Sequence, residues 1–506
     1  MRLKLWGAAV FAALSLFAVA ASAQDVTLTA RDGSLSIDGQ LISFDGEFYR
    51  VDSRYGPLTL DGEGVICDGP GCPDLTATLA VLRITGAGEP GNRLLPGLFE
   101  AYARTRGLKI ATSSHAAGFR SEITDPGTDQ MLAQISFVPA APEAARRALL
   151  RGEADLAVSL TADKGFGSRS MALDALIPIV ATGNTHPRIS TPELAAALSG
   201  KVKNWKEFGG PDMPIALHAL AGDTSLQEAL TARLGRRVAA VSEHATAEEL
   251  AEAVARDPWA LAITGQAAKG AARVLPLTDS CGFPLLPGRA SVKAEDYPLT
   301  LPVQLLTPRR RLPLFAREFL DFLDHPAAQA PIAAAGYVDR APETTPMTAD
   351  GLRLLNAIKG AGPDVPLEQL QNLADVMRDS SRSSLTFRFE DGTTQLDSRS
   401  RENLQLLAQM LAVDAFRGQE VILAGFSDGS GSASANLDLS ESRAIGVATA
   451  LSDLLSDLPE GARMPRVMPF GEALPMACDT TAAGRRANRR VEVWLRPLAA
   501  RDSDAP

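Results

Sequence analysis

Two short stretches combine residue types that could hold or transform a substrate. Gly86-Ala87-Gly88-Glu89-Pro90-Gly91 fits the G-x-G-x-x-G spacing of a dinucleotide loop. Glycines in such a loop let the backbone approach a pyrophosphate at the start of a helix. The same chemistry wants a carboxylate about 20 positions on, at the end of the next strand, to hold a ribose. Leu108 to Thr112 read as that strand, and Ser113-Ser114-His115 follow with no carboxylate. Pro90 also removes one backbone N–H from the cradle. The expectation is a Gly-rich turn between strand and helix, with no cofactor. Gly425-Phe426-Ser427-Asp428-Gly429 fits the nucleophile elbow G-x-S-x-G, whose partners follow in the order Ser, acid, His. The last histidine is His325, and Ser430 to Leu437 read as a Gly/Ser-rich loop where the elbow needs a helix. An exported serine hydrolase is therefore disfavoured and no catalytic residue is assigned.

Metal chemistry lacks ligands. His115, His186, His218, His244 and His325 are scattered, and none lies near Cys67 and Cys72. A structural zinc site needs four grouped donors, so no metal site is expected. Cys67 and Cys72, around Asp68-Gly69-Pro70-Gly71, read as a local disulfide. Cys281 and Cys478 either pair or stay free.

The whole chain bounds these choices. It has 506 residues, 45% apolar and 22% charged, which is ordinary for globular protein and gives a prior of about three domains. The net charge is -10 and aromatics are 5%, a poor basis for nucleic-acid binding. Arg2 and Lys4, the apolar run Leu5 to Ala21 and the small-residue site Ala21-Ser22-Ala23 read as a secretory signal peptide over residues 1–23. Export makes disulfides permissible.

Texture divides the rest. Residues 24–79 alternate apolar and polar residues between Asp-Gly turns, as a small β unit closed by the Cys67–Cys72 bridge. Residues 80–341 alternate short apolar runs (Leu156-Ala157-Val158, Ala260-Leu261-Ala262-Ile263) with Ala-rich helical stretches, an α/β pattern. Residues 342–384 read as a helical and Ser-rich linker, 385–498 as a second mixed α/β unit, and 499–506 as a loose tail. The fold class expected is thus α/β multidomain.

The C-terminal unit resembles the OmpA-like peptidoglycan-binding domain. The resemblance rests on Leu385 to Phe389, Ala424-Gly425-Phe426-Ser427-Asp428, Asn436, Leu439-Ser440, Arg443-Ala444 and Gly484 to Val493. It implies a site for the diaminopimelate of the wall's stem peptide, with Asp428 accepting from the ammonium and Arg443 clamping the carboxylate. Ser427, Asn436, Asn488 and Arg490 would line or brace it, and Ser440 would cap the helix that carries Arg443. Phe426 and Ser427 stand where the family usually has His and Thr.

Residues 80–341 resemble the phosphate-type (PstS-like) periplasmic substrate-binding proteins of ABC transporters. Ile84 to Gly88, Gly152 to Leu156, Leu198 to Trp205, Asp257 to Ala260 and Ala334 to Val338 carry this resemblance. It implies a type II two-lobed domain and a ligand site formed by Gly86, Gly88, Glu89, His218, Asp223 and Thr224. Here Glu89 follows the first loop, Leu160 occupies the usual Asp place and His218 the usual Arg place, so phosphate contacts are altered. The function expected is a non-enzymatic periplasmic protein of a Gram-negative bacterium. One domain holds peptidoglycan at the cell wall and outer membrane. The other presents a solute cleft for sensing, scaffolding or transport. An ABC transporter or an outer-membrane component is the expected protein partner, and the alternative is a transport receptor for phosphate or another oxyanion.

Overall fold

The computed structural model describes residues 25–44, 48–73, 79–115, 118–222, 224–310, 312–349, 351–390, 393, 395–455 and 463–498. The expected signal peptide, the tail and Asp223 lie outside the described residues. The chain divides into two compact units, residues 1–78 with 313–318, and residues 79–312 with 319–506.

The first unit is a five-stranded antiparallel sheet. Its strands lie in the order Gly56–Asp61, Phe48–Ser53, Ser36–Phe44, Val26–Ala30, Val65–Asp68. Period-two alternation puts Val26, Leu28, Leu41, Tyr49 and Val51 in one buried cluster. Cys67 and Cys72 are bridged beside it. Asp25 is buried and accepts from the Leu41 amide at 2.6 Å.

The second unit contains one long mixed sheet. In its first half Ala80–Gly86 runs parallel to Leu156–Ser159 and Met131–Pro139. Helix Gly88–Thr105 buries Leu94, Leu95, Leu98, Phe99 and Tyr102, spaced to form one helical face. Gly86 has φ +108°, and a Cβ there would stand 2.2 Å from the Val158 carbonyl oxygen, so only glycine lets these strands close at the loop. The other half holds parallel strands Ala216–Leu220, Ser242–His244 and Ala260–Gly265 with helices Ser225–Leu234 and Ala247–Arg256. The 14-residue strand Gly167–Val180 belongs to both halves: it pairs with Thr300–Thr307 and then with Ala260–Gly265.

The C-terminal sheet has the order Thr344–Pro346, Ser381–Arg388, Arg490–Pro497, Gln419–Phe426, Arg466–Pro469. Its central strands are buried on both faces. Leu423, Val491, Val493 and Leu495 pack under helices Ser398–Ala412 and Ala433–Leu454. Ile422, Ala424 and Trp494 point the other way, against Ala357 of helix Gly351–Gly360 and Leu373, Val376 and Met377 of helix Leu367–Arg378. Residues 342–384 are therefore not a linker: their helices cover one face of this sheet, and Ser381 to Ser384 open one of its strands. The expected loop Ser430 to Leu437 is also shorter. Ser432 accepts from the Ala435 amide as N-cap, and the helix runs from Ala433. Ser440 does not cap that helix; it sits two turns inside, where its hydroxyl donates to the Leu437 carbonyl and accepts from the Gly471 amide.

Candidate functional site

Strand Gln419–Phe426 delivers Ser427 and Asp428 to the end of the C-terminal sheet, and helix Ala433–Leu454 delivers Asn436 and Arg443 alongside. Asp428 Oδ1 accepts from the Ser430 amide at 3.1 Å, and Oδ2 pairs with Arg489 Nη1 at 3.1 Å. Burial pushes the Asp428 carboxyl upward, but these two partners outweigh it and hold the group below the ordinary carboxylate range. Arg443 is 7% exposed. Its Nε and Nη1 have no hydrogen-bond partner among the described residues, and neither has Ser427 Oγ. Burial, together with the Arg489 charge, makes the Arg443 guanidinium less basic than usual, while the Asp428 charge acts the other way. Those two donors are themselves buried, and a buried donor left unpartnered is uncommon in a folded protein.

Three residues that the sequence did not single out complete this polar cluster. Arg489 balances Asp428. Glu472 accepts from Asn436 Nδ2 and is buried, which raises its carboxyl. Asp479 accepts from the Gly429 amide at 2.7 Å and from Asn488 Nδ2 at 2.6 Å. Asn488 also accepts from the Met476 and Ala477 amides, so it braces this loop from within. Arg490 has a different set of partners. It is fully buried, pairs with Glu492 at 2.6 Å, donates to the Leu474 and Asn488 carbonyls, and lies over the Phe426 ring at 4.2 Å. Phe426 points into an aromatic cluster with Phe470 and Trp494. Its substitution for the family's His serves the core on the far face of the strand.

The other candidate is a cleft of about 520 Å³ between the halves of the long sheet. Gly88, Glu89 and Thr224 line it; His218 does not. Instead His218 Nδ1 meets His244 Nε2 at 2.9 Å on neighbouring strands. Gly86 shapes the loop without lining the cleft, and Leu160 lines it where an acid was usual. Helices Gly88–Thr105, Ser225–Leu234 and Ala247–Arg256 all begin at its wall, the last two capped by Thr224 and Thr246. Three helix N-termini would favour an anion. The side chains oppose it. Glu89, Asp174 and Glu248 line the cleft against one guanidinium, Arg93. Arg93 pairs with Glu89 at 3.0 Å, and the Tyr337 hydroxyl donates to Glu89 at 2.6 Å. Burial and the Glu89 charge push the Asp174 carboxyl up to about 7.

Comparison with known proteins matches these two parts to two families. Residues 388–489 match the OmpA family and residues 100–324 the PBP superfamily domain. The chain joins a PBP-superfamily domain to an OmpA-family domain. A stretch of 74 residues is 39% identical to the probable lipoprotein YiaD of Escherichia coli (strain K12), covering 15% of this chain and 32% of that one. The chain thus spans about a third of the curated relative it matches. An ABC-type phosphate transport receptor from Vibrio cholerae is 18% identical, covers 51% of this chain and 99% of its own, and has a TM-score of 0.40. A putative phosphate ABC transporter substrate-binding protein from Clostridium perfringens, with bound phosphate, is 15% identical with the same coverages and a TM-score of 0.41. The OmpA-family match spans the Asp428–Arg443 cluster, and the PBP-superfamily part holds the acidic cleft.

Proposed function

We propose that this protein is a non-enzymatic component of a Gram-negative envelope. Its OmpA-family domain holds peptidoglycan through the diaminopimelate of the stem peptide. Its PBP-superfamily domain presents a cleft to a small solute in the periplasm. The observation that carries the reading is Arg443, a buried guanidinium near the Asp428 carboxylate, with two donors that have no partner among the described residues. An amino group and a carboxylate on one carbon, as in diaminopimelate, match that pair of opposite charges. The test is co-sedimentation of the full chain with purified diaminopimelate-type peptidoglycan. Asp428→Ala and Arg443→Ala should each weaken binding more than tenfold, since truncating one partner of a buried charge pair costs about 2–5 kcal/mol. Arg443→Lys should restore it only in part, because an ammonium makes no two-pronged contact. Wild-type sedimentation by both alanine variants would refute the assignment.

For the cleft, the carboxylates favour a solute with an ammonium or several hydrogen-bond donors over phosphate. Fixing such a domain to the wall suits sensing or scaffolding better than carrying solute to a transporter. Calorimetric titration of the full chain with phosphate, sulfate, amino acids and muropeptides discriminates. The expected result is weak or absent phosphate binding, and submicromolar phosphate affinity would restore the transport-receptor reading.

A further inference from the structure

The two halves of the long sheet also bond to each other beside the cleft. Helix Pro142–Arg151 packs on strands Ala80–Gly86 and Leu156–Ser159 of the first half. Helix Ser225–Leu234 packs on strand Ala216–Leu220 of the other. Both helices start at the cleft wall, one after Ala140 and Ala141, the other at Thr224 to Leu226. About one turn further along, Arg146 of the first helix donates through Nη2 to Glu228 Oε1 of the second. Arg146 Nε donates to Asp163 at 2.8 Å, and Glu143 lies 3.7 Å away on the same helix. Thr161 donates to Glu228 Oε2 at 3.2 Å. Thr161 is itself held to the first half, where its amide donates to Ser159 Oγ at 3.2 Å. Both oxygens of Glu228 are therefore gripped from across the boundary. The hydrogen bond from Glu228 raises the Arg146 guanidinium above its ordinary value, against the effect of burial. The two side chains are 23% and 31% exposed, so water screens them less than a fully exposed pair. A further bond crosses between the halves at Arg93, which donates to the Ala267 carbonyl at 2.6 Å, just after strand Ala260–Gly265.

We propose that Arg146 and Glu228 form a latch that holds the two halves closed over the cleft by groups of the chain itself. Closure then needs no solute to bridge the halves, and a solute enters when the pair parts. The latch does not depend on which solute the cleft takes. The halves are joined through strand Gly167–Val180, and bodies joined in this way open and close by small changes at a few connecting residues. Because the pair sits one turn behind two helix starts, parting it frees both of the cleft walls that those starts form.

Hydrogen–deuterium exchange of the full chain tests the latch. The reporters are the amides of residues 87–93 in the first half and 265–269 in the other, segments that contain neither member of the pair. Arg146→Met and Glu228→Gln should each speed exchange at both reporters, by roughly threefold for a partly exposed pair. Strand Arg490–Pro497 should exchange as in the wild type. Asp163→Asn removes a charge facing Arg146 within the first half but keeps the pair across the boundary, and should leave both reporters unchanged. Unchanged reporters in Arg146→Met and Glu228→Gln overturn the proposal. So does an equal rise with Asp163→Asn, which would mean that Arg146 orders only its own half. A rise at Arg490–Pro497 as large as at the reporters also overturns it, because the pair would then support the whole fold and not the closure of the cleft.

Discussion

At the scale of single residues, both domains depend on carboxylates whose environments differ. Asp428 is buried but doubly partnered, and stays ionised well below neutrality. Asp174 is buried with backbone amides of Ala175, Ala267 and Gln266 as donors, and burial raises its carboxyl from 3.8 to about 7. A raised folded pKa means that the folded state binds the proton more tightly. Stability from this group is therefore complete below pH 4, falls as pH rises from about 4 to about 7, and is flat above. A shift of about three units sets a ceiling of roughly 4 kcal/mol on the loss. Asp174→Asn keeps the Oδ1 acceptor and removes the charge. It should raise the melting temperature at pH 8, with a gain that shrinks steadily towards pH 5. An equal effect at both pH values would show that the folded Asp174 carboxyl is already ionised at pH 5 and is not raised by burial.

At the scale of elements, the two disulfides do different work. Cys67–Cys72 has a sequence separation of 5 and fastens the end of one strand, whereas Cys281–Cys478 has a separation of 197. Cys478 begins the loop whose Asp479 holds the Gly429 amide, directly after Asp428. Its own amide donates to Asp279 at 2.7 Å, so the loop is fastened twice to the PBP-superfamily part. Chain-entropy reasoning gives about 5 kcal/mol for the long closure and about 2 for the short one. The double variant Cys281→Ser/Cys478→Ser should therefore lower the urea midpoint more than Cys67→Ser/Cys72→Ser, and should also weaken peptidoglycan binding. Equal midpoints would mean that the first bridge adds little to contacts already formed. How far the sequence discloses such elements depends on periodicity. The strands around Ile84, Val158 and Ile263 and the helix around Leu407 are legible because apolar spacing marks them. Ser381 to Ser384 are not, because their strand is polar and yet half-buried or buried, with Arg382 paired to Asp296 and Glu492. That Asp428 and Arg443 lie close together follows from the strand-loop-helix spacing of the resemblance. Glu472 and Arg489 are not legible, because their roles arise from contacts 36 and 61 residues away.

At the scale of the whole molecule, the OmpA-family match begins at residue 388, but the folded domain begins earlier. Ile422, Phe426 and Trp494 need a cover, and Met347, Ala357, Leu373, Val376 and Met377 supply it. Burying a Leu, Val or Met side chain contributes about 1.5–3 kcal/mol, so removing the four larger partners, about 6–12 kcal/mol, is comparable to the whole stability of a small domain, about 5–15 kcal/mol. A fragment of residues 385–498 also loses Arg353 and Arg382 as partners of Glu492, which would leave Arg490 as its sole cation in the core. A fragment of residues 342–498 retains all of these. The expected outcome is that residues 342–498 give a cooperative urea transition and sediment with peptidoglycan, whereas residues 385–498 bind a hydrophobic dye and aggregate. If the shorter fragment unfolds with the same midpoint as the longer one, the helices over Trp494 are an accessory to the domain and not part of its core.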